Sequence, residues 1–475
     1  MSIFAKKAIE SLREKSGSNN LEKTLTAFDL ILIGLGGIIG SGVFVLTGLV
    51  AARHSGPSIM LSYGVAGLCC MLVSLAYAEI ATMVPTSGSV YSYTYVAFGR
   101  IFAWIVSGVV IMEFIFSTAV VASGWSSYVV NLLASAGFKI SPYYTKIYSE
   151  GGFLNLPAIF IVSLMSFMLY LGTKDSKKLN AALVVIKILA IIIFCVLAVP
   201  NFDVNNWNNF SPFGYHETMK GSSILFFSFT GFAIIATAAD ECKNPKRDIT
   251  IGLLGSLIVC TLIYIVVGGL ATGIAYYTSL DNSSPLAYAL EMNGSKLGSI
   301  VVAFGALAGL TSVIMMNIYC ISRIFYVMAR DRMIPEVFAK LHEKYKSPSF
   351  CLLLICISIM VVVSLFPCHL LSQLSSMGGL LEYAIIMSIV LVFRFKFPNM
   401  DRKFKCPAAF FIIPLSLLLV IYLFCIQLFD EGFALSYPGQ NLLGFLGVYT
   451  IMYFIVQMFI KNTSHAEMKS SEIEL

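Results

Sequence analysis

Six glycines fall in the fifteen positions from Gly34 to Gly48, within an apolar stretch from about Ala27 to Ala52. A stretch of that length can cross a bilayer. A crossing helix must satisfy its own backbone, and this much glycine makes a poor continuous helix. The pattern predicts a helix that breaks at Gly40-Ser41-Gly42, with freed N–H groups turned toward an anion such as a carboxylate. A mid-membrane break is tolerated only where protein or a water-filled cavity covers it. The same small residues would also serve as a face that packs closely on another helix.

Three charged residues stand deep in apolar surroundings. Lys187 lies within Leu183–Ile192 with no carboxylate near it in sequence. A charge at mid-span costs about 2.5–3.5 kcal/mol on insertion scales, so it calls for a functional explanation. The alternative is a lysine that snorkels to an interface, about seven residues from the start of its segment. Glu113 sits in Val110–Ile115 and Glu382 in Gly378–Ala384. Phe226 to Ala233 mixes glycine with β-branched and hydroxyl residues, weak helix formers in the middle of another apolar run.

The elements that must hold these residues are apolar helices. The chain has 475 residues, 58% hydrophobic and 12% charged, with a mean hydropathy of +0.85; a soluble domain is about a quarter charged. This is the composition of an all-α integral membrane protein with one large bundle. Twelve apolar segments are expected, at about 28–51, 57–84, 97–134, 153–172, 180–199, 219–240, 249–276, 297–328, 349–366, 371–395, 407–428 and 441–460. Residues 1–26 form a polar N-terminal segment without the apolar core of a cleaved leader. Residues 461–475 form a polar tail, expected to be disordered. Of the 31 Lys and Arg, twenty-four fall on the N-terminal side of the alternating connections, five on the other, and Lys187 and Arg323 within segments. The positive-inside rule then puts both termini in the cytoplasm. The asymmetry also accounts for the net charge of +6 without a nucleic-acid partner. The eleven cysteines, mostly within apolar segments, read as packing residues rather than a disulfide framework.

Segments one and six are both interrupted. Interrupted segments at matching positions of two halves point to an inverted-repeat transporter with a site at the membrane midplane. Five helices is an odd number, so two such units in series are inverted. The repeats are placed at 27–200 and 219–396, with two extra helices over 407–460, inside one transporter domain over 27–460.

The chain resembles the amino-acid permeases of the amino acid–polyamine–organocation superfamily, and within it the bacterial relatives of cationic amino acid transporters. The resemblance rests on Gly36–Gly48, Tyr77–Pro85 followed by Gly88–Tyr95, Phe102-Ala103-Trp104, Gly124-Trp125-Ser126, Ala236–Glu241 with Asn244-Pro245, and Ser322–Pro335. It implies a LeuT-like 5+5 inverted-repeat bundle of twelve transmembrane helices with helices 1 and 6 discontinuous. It also implies residence in a cell membrane, the inner membrane in a bacterium. Carried onto this chain, the family pattern puts a substrate carboxylate on the N–H groups of Gly40, Ser41 and Gly42. It puts the ammonium on carbonyls near Ile38, Phe227, Ser228 and Thr230, and the Phe227 ring over the ligand as a gate. Glu113 matches a family position on helix three, near the substrate or a proton path. Related proton-coupled members carry a lysine at the position of Lys187 in place of a sodium site. Its partners here would be carbonyls near Gly36–Gly37 and the hydroxyl of Thr311 or Ser312. Two departures stand out. Glu382 replaces a small or apolar residue, and Ala233 replaces an acidic one. The second favours a neutral or apolar substrate, while Glu113 and Glu382 keep a cationic one open.

The expected activity is therefore proton-coupled uptake of a small amino acid, with the proton as coupling ion and no cofactor. The alternative is exchange of amino acids or amines. All five histidines fall in loops or at segment ends, and no metal-ligand spacing or nucleophile motif appears, so an enzyme is not expected. The short tails argue against a sensor. Glu79, Asp240 and Glu241, at helix ends, are expected to join a charge network with Arg100, Arg323 or nearby lysines.

Overall fold

In a computed structural model, the described residues are 25–473 apart from 85, 87, 136, 139, 149–150, 239–241, 283, 346, 401, 403 and 430–434. Asp240, Glu241 and most of the polar N-terminal segment lie outside them. The described residues form helices with no strand beyond three isolated bridges.

Helix α1 (Ala27–Ile38) starts on a reciprocal cap. Thr26 accepts from the Asp29 N–H, and the Asp29 carboxylate accepts from the Thr26 N–H at 2.8 Å. It stops at Ile39, whose extended backbone (φ −74°, ψ 100°) takes the chain out of the helix. The chain re-enters as α2, residues 42–55, built of the π-turn Gly42–Leu46, the α-turn Thr47–Val50 and a second π-turn Ala51–Ser55. Then follow α3 (Ile59–Met83), the short α4 (Ser89–Ala97), α5 (Arg100–Ser135), α6 (Leu156–Tyr170) and α7 (Thr173–Ala198). Helix α8 (Gly214–Phe226) tightens into a 3₁₀ run, Phe227–Ala233, before α9 (Ile234–Thr237). The remaining helices are α10 (Pro245–Ile274), α11 (Pro285–Met292), α12 (Lys296–Arg330), α13 (Ser349–Leu365), α14 (Cys368–Lys396), α15 (Ala409–Leu428) and α16 (Tyr437–Ile473).

Among the described residues, nine helical runs are long and apolar enough to cross a membrane. The first, Ala27–Met83, holds both of the first two expected segments in 57 residues. The expected segments at 153–172 and 349–366 appear as the shorter apolar helices α6 and α13. Segment six differs from expectation. Where an open break was expected, the 3₁₀ run keeps i→i+3 bonding, so its carbonyls are only partly released. The last helix continues to Ile473, past the point where the tail was expected to lose order. Ala466, Glu467, Met468 and Lys469 are good helix formers, and they extend it.

The interrupted elements lie at the centre. Helix α10 packs on α3 and α1, α12 on α5 and α7, and α14 on α5 and α15. Large apolar side chains such as Leu68, Phe160, Leu262 and Phe411 face outward. That is the inverse of a soluble surface and suits a lipid surround.

Glu79 does not join Arg100 or Arg323. Its buried carboxylate accepts from Arg394 through Nε (2.9 Å) and Nη2, and from the Cys406 N–H at 2.8 Å, with Arg402 Nε 3.3 Å away. This ties α3 to the end of α14 and the segment before α15. Glu79→Ala leaves the buried end of Arg394 without its counter-charge, which typically costs about 3–5 kcal/mol. We expect a clearly lower thermal midpoint for the purified variant, and an unchanged midpoint would refute the structural role.

Candidate functional site

The break in α1 and the 3₁₀ run face each other across a narrow cavity of about 10 Å³, room for about one water molecule. From the two interrupted elements come Gly37, Ile38, Gly40, Ser41, Gly42, Phe227, Ser228, Thr230 and Gly231. The closeness depends on glycine at two positions. A Cβ on Gly231 would run into the carbonyl of Gly37 and the nitrogen of Ile38, and one on Gly42 would run into Ser228. No larger residue fits either place without moving backbone.

The cavity is lined by both donors and acceptors. The N–H groups of Gly40, Ser41 and Gly42 precede or begin α2, where no intrahelical acceptor exists, and no other backbone acceptor among the described residues takes them. The buried Ser228 hydroxyl, opposite Gly42, has no partner among the described residues. These groups, with the positive end of the α2 dipole, suit a carboxylate. The carbonyls of Ile38, Phe227, Ser228 and Thr230 stand nearby, each with one hydroxyl already on it. Tyr264 Oη lies 2.8 Å from the Ile38 oxygen and 3.2 Å from that of Ser228. The Thr230 hydroxyl donates to the Phe227 oxygen, and Tyr383 donates to the Thr230 oxygen at 2.9 Å. A carbonyl has two lone pairs, so that of Ile38 keeps capacity for an ammonium, while those of Phe227, Ser228 and Thr230 also serve the i→i+3 bonds of the 3₁₀ run and gain it only if the run loosens.

Ser117, Val121, Val313 and Asn317 complete the lining. Sequence reasoning missed these and Tyr264. Asn317 donates to the Ser117 hydroxyl at 3.0 Å, joining α12 to α5. A mid-span Asn is itself a signal, because its amide must find a partner. Tyr264 carried no such signal, since a span tyrosine is ordinarily packing. Tyr264→Phe strips the shared donor from two buried carbonyls, which costs about 1–3 kcal/mol. We expect a lower midpoint of thermal unfolding for the ligand-free variant.

Glu113 was expected in the substrate site, and it does not line this cavity. It lies one turn along α5 from Ser117, packed against α14. The side chains of i and i+4 share a helix face, which places its carboxyl next to the cavity and behind the Thr230 methyl. A Cβ on Gly379 would come 3.0 Å from both.

Lys187 is fully buried and does not snorkel. Its ammonium donates to the carbonyls of Gly36 (3.1 Å) and Ile39 (2.8 Å) and to the Ser312 hydroxyl (2.9 Å). An ammonium has three protons, and three acceptors receive them. Two are last-turn carbonyls of α1, where the helix dipole is negative. The cation thus sits behind the break and links α1, α7 and α12. Thr311 is not among its partners. It accepts from Trp125 Nε1 at 3.0 Å and donates to the Leu307 oxygen. Neighbouring residues on a helix point about 100° apart, so only Ser312 faces Lys187.

No group of His, Cys, Asp and Glu suited to a metal ion is found among the described residues. The arrangement presents backbone donors and acceptors at paired helix interruptions, with the Lys187 amine one layer behind.

Residues 25–460 match a family described as amino acid permease. The chain is 34% identical to the methylthioribose transporter of Bacillus subtilis (strain 168), over 96% of this chain and 97% of that protein. It is 36% identical to the branched-chain amino acid permease BcaP of the same organism, over 89% of this chain and 92% of that one. The cationic amino acid transporter 9, chloroplastic, of Arabidopsis thaliana is 34% identical over 81% of this chain and 68% of its own.

Proposed function

The chain belongs to the amino acid permease family, and on that premise we propose that it is a secondary active transporter for proton-coupled uptake of a small amino acid, neutral or cationic. It is a multi-pass membrane protein and a transporter rather than an enzyme. The reading adopts twelve spans in a LeuT-like inverted repeat, residues 27–200 against 219–396, with helices over 407–460 added outside the repeat. Ala27–Met83 is then counted as two spans, and the shorter helices α6 and α13 as one each. Both termini face the cytoplasm of a cell membrane, in keeping with the distribution of Lys and Arg.

The observation that carries the substrate class is the meeting of α2 and the 3₁₀ run around a narrow cavity, with unpaired N–H groups at Gly40, Ser41 and Gly42 and the carbonyl of Ile38 among the described residues. A zwitterion is costly to strip of water unless both charged ends are met. The groups around this cavity offer partners to both once the two elements part to admit it. Lys187, held on α1 carbonyls, is the coupling residue in this account. Its proton is exchanged as the break rearranges between outward and inward states.

A thermal-shift screen of the purified protein against the common amino acids, polyamines and methylthioribose, at two pH values, tests the reading. A ligand at 100 times its Kd raises stability by about 2.7 kcal/mol, so a true substrate gives an obvious shift. We expect a free amino acid to score and its stabilisation to depend on pH. A shift with methylthioribose alone would overturn the substrate class. Counterflow in liposomes without a proton gradient, together with no net uptake when one is imposed, would mark an exchanger instead.

A further inference from the structure

Glu113 on α5 and Glu382 on α14 are both sealed from solvent, 0% and 1% exposed. Gly378 and Gly379 let the two helices close up here. A Cβ on Gly378 would lie 3.1 Å from the Glu113 Cβ, and one on Gly379 would lie 3.0 Å from its Oε1. Glu382 projects from the same face of α14 one turn later, so its carboxyl lies on the Glu113 side of that helix.

The hydrogen-bond accounting around them is unusual. Neither oxygen of Glu113 nor Oε2 of Glu382 receives a bond from any protein donor among the described residues. Among the described residues no Lys, Arg or His pairs with either one. The other titratable groups facing them are Tyr77 of α3, Cys320 of α12 and Tyr383 of α14. The Tyr77 hydroxyl is 3.4 Å from Glu382 Oε1 and only 2.6 Å from the Ser89 hydroxyl, and Tyr383 is committed to the Thr230 carbonyl. Two ionised carboxylates are acceptors only, and like charges at this range strongly disfavour double ionisation. A single proton between them supplies the missing donor and removes one charge.

We infer that Glu113 and Glu382 hold one proton in common and form a second proton-binding site, separate from Lys187 and next to the substrate cavity. A route leads away from it. Beyond Glu382 and the Tyr77–Ser89 pair lies a small cavity lined by Tyr77, Ser89, Tyr91, Cys320 and Glu382. At its far side Tyr91 donates to Asp331 at 3.3 Å, just past the end of α12 on the face that bears the basic loops. A proton leaves when the O–H bond at Glu382 breaks and one forms on the next hydroxyl oxygen, whose own O–H bond breaks to pass its proton further along this line. The pair regains a proton from the cavity side.

The use of this proton in transport rests on the proton-coupled reading, whereas its presence does not, so the test reads it directly. In infrared spectra of the full chain in detergent at neutral pH, we expect a protonated-carboxyl C=O band, although isolated carboxyls in water are ionised there. Glu382→Gln and Glu113→Gln should each abolish the same band, because an amide replaces the shared O–H as donor. Absence of the band from the wild-type chain would overturn the inference even if neither variant folded, and so would a band that survives both substitutions. In liposomes, Glu382→Gln should lose the proton movement that accompanies uptake. Intact proton movement with the band gone would overturn the transport role. A failure of the amino-acid assignment would leave the infrared result untouched.

Discussion

Lys187→Ala is expected to abolish accumulation driven by an imposed pH gradient, with labelled substrate in proteoliposomes as the readout. The lysine bonds the carbonyls of Gly36 and Ile39 at the end of α1 and the Ser312 hydroxyl of α12. Its removal takes away a movable proton and the cation that steadies the broken helix end. It also leaves the buried Ile39 carbonyl short of a donor, at about 1–3 kcal/mol, while the Ser312 hydroxyl still donates to the Gly36 oxygen. Part of the loss could therefore be misfolding, so Lys187→Met, which keeps the aliphatic volume, is measured beside it. Both variants should fail to concentrate substrate against a gradient. Proton-driven uptake at the wild-type level in either folded variant would remove Lys187 from the coupling mechanism.

The second large effect is at Gly231. A single methyl group added there runs into backbone, the Gly37 carbonyl and the Ile38 nitrogen, rather than into a side chain that could swing aside. Overpacking of this kind typically costs about 1–3 kcal/mol. Here the strain falls on the contact that sets the width of the cavity. Gly231→Ala should therefore lose substrate binding outright and also unfold at a lower temperature. The Gly444→Ala control has open space around its Cβ and should behave as wild type. Normal affinity in Gly231→Ala would mean that the two interrupted elements do not define the site.

Much of this was legible in the residues because the signals were local. A run of six glycines inside an apolar segment announced the interruption of α1. An isolated lysine among Leu, Val and Ile announced a buried cation, since nothing in Leu183–Ile192 could neutralise it. The family resemblance then named the backbone groups of Ile38, Gly40, Ser41, Gly42, Phe227, Ser228 and Thr230, which the structure brings to one cavity. What escaped depended on rotation about a helix or on distant partners. The choice between Thr311 and Ser312 is a matter of 100° of helical phase, and composition carries no trace of it. The weak helix formers of Phe226–Ala233 signalled a departure from α geometry, but not whether the chain would open or tighten. It tightened, because i→i+3 bonds satisfy more of the buried backbone than an open loop can. The meeting of Glu113 with Glu382 joins two helices far apart in the chain, and either glutamate alone reads as an oddity. The Glu79 partners were misassigned for the same reason. Arg394 and Arg402 reach it through the packing of α14, which sequence proximity does not encode.

The account turns on a zwitterion gripped at both ends by interrupted helices. Calorimetric titration of the purified protein with the best amino acid from the screen tests this most directly, when compared with that amino acid's carboxamide and with the amine lacking the carboxyl group. The account predicts measurable binding of the parent amino acid and none of either analogue, because each leaves one set of desolvated backbone groups unmet. Equal affinity for all three would contradict it.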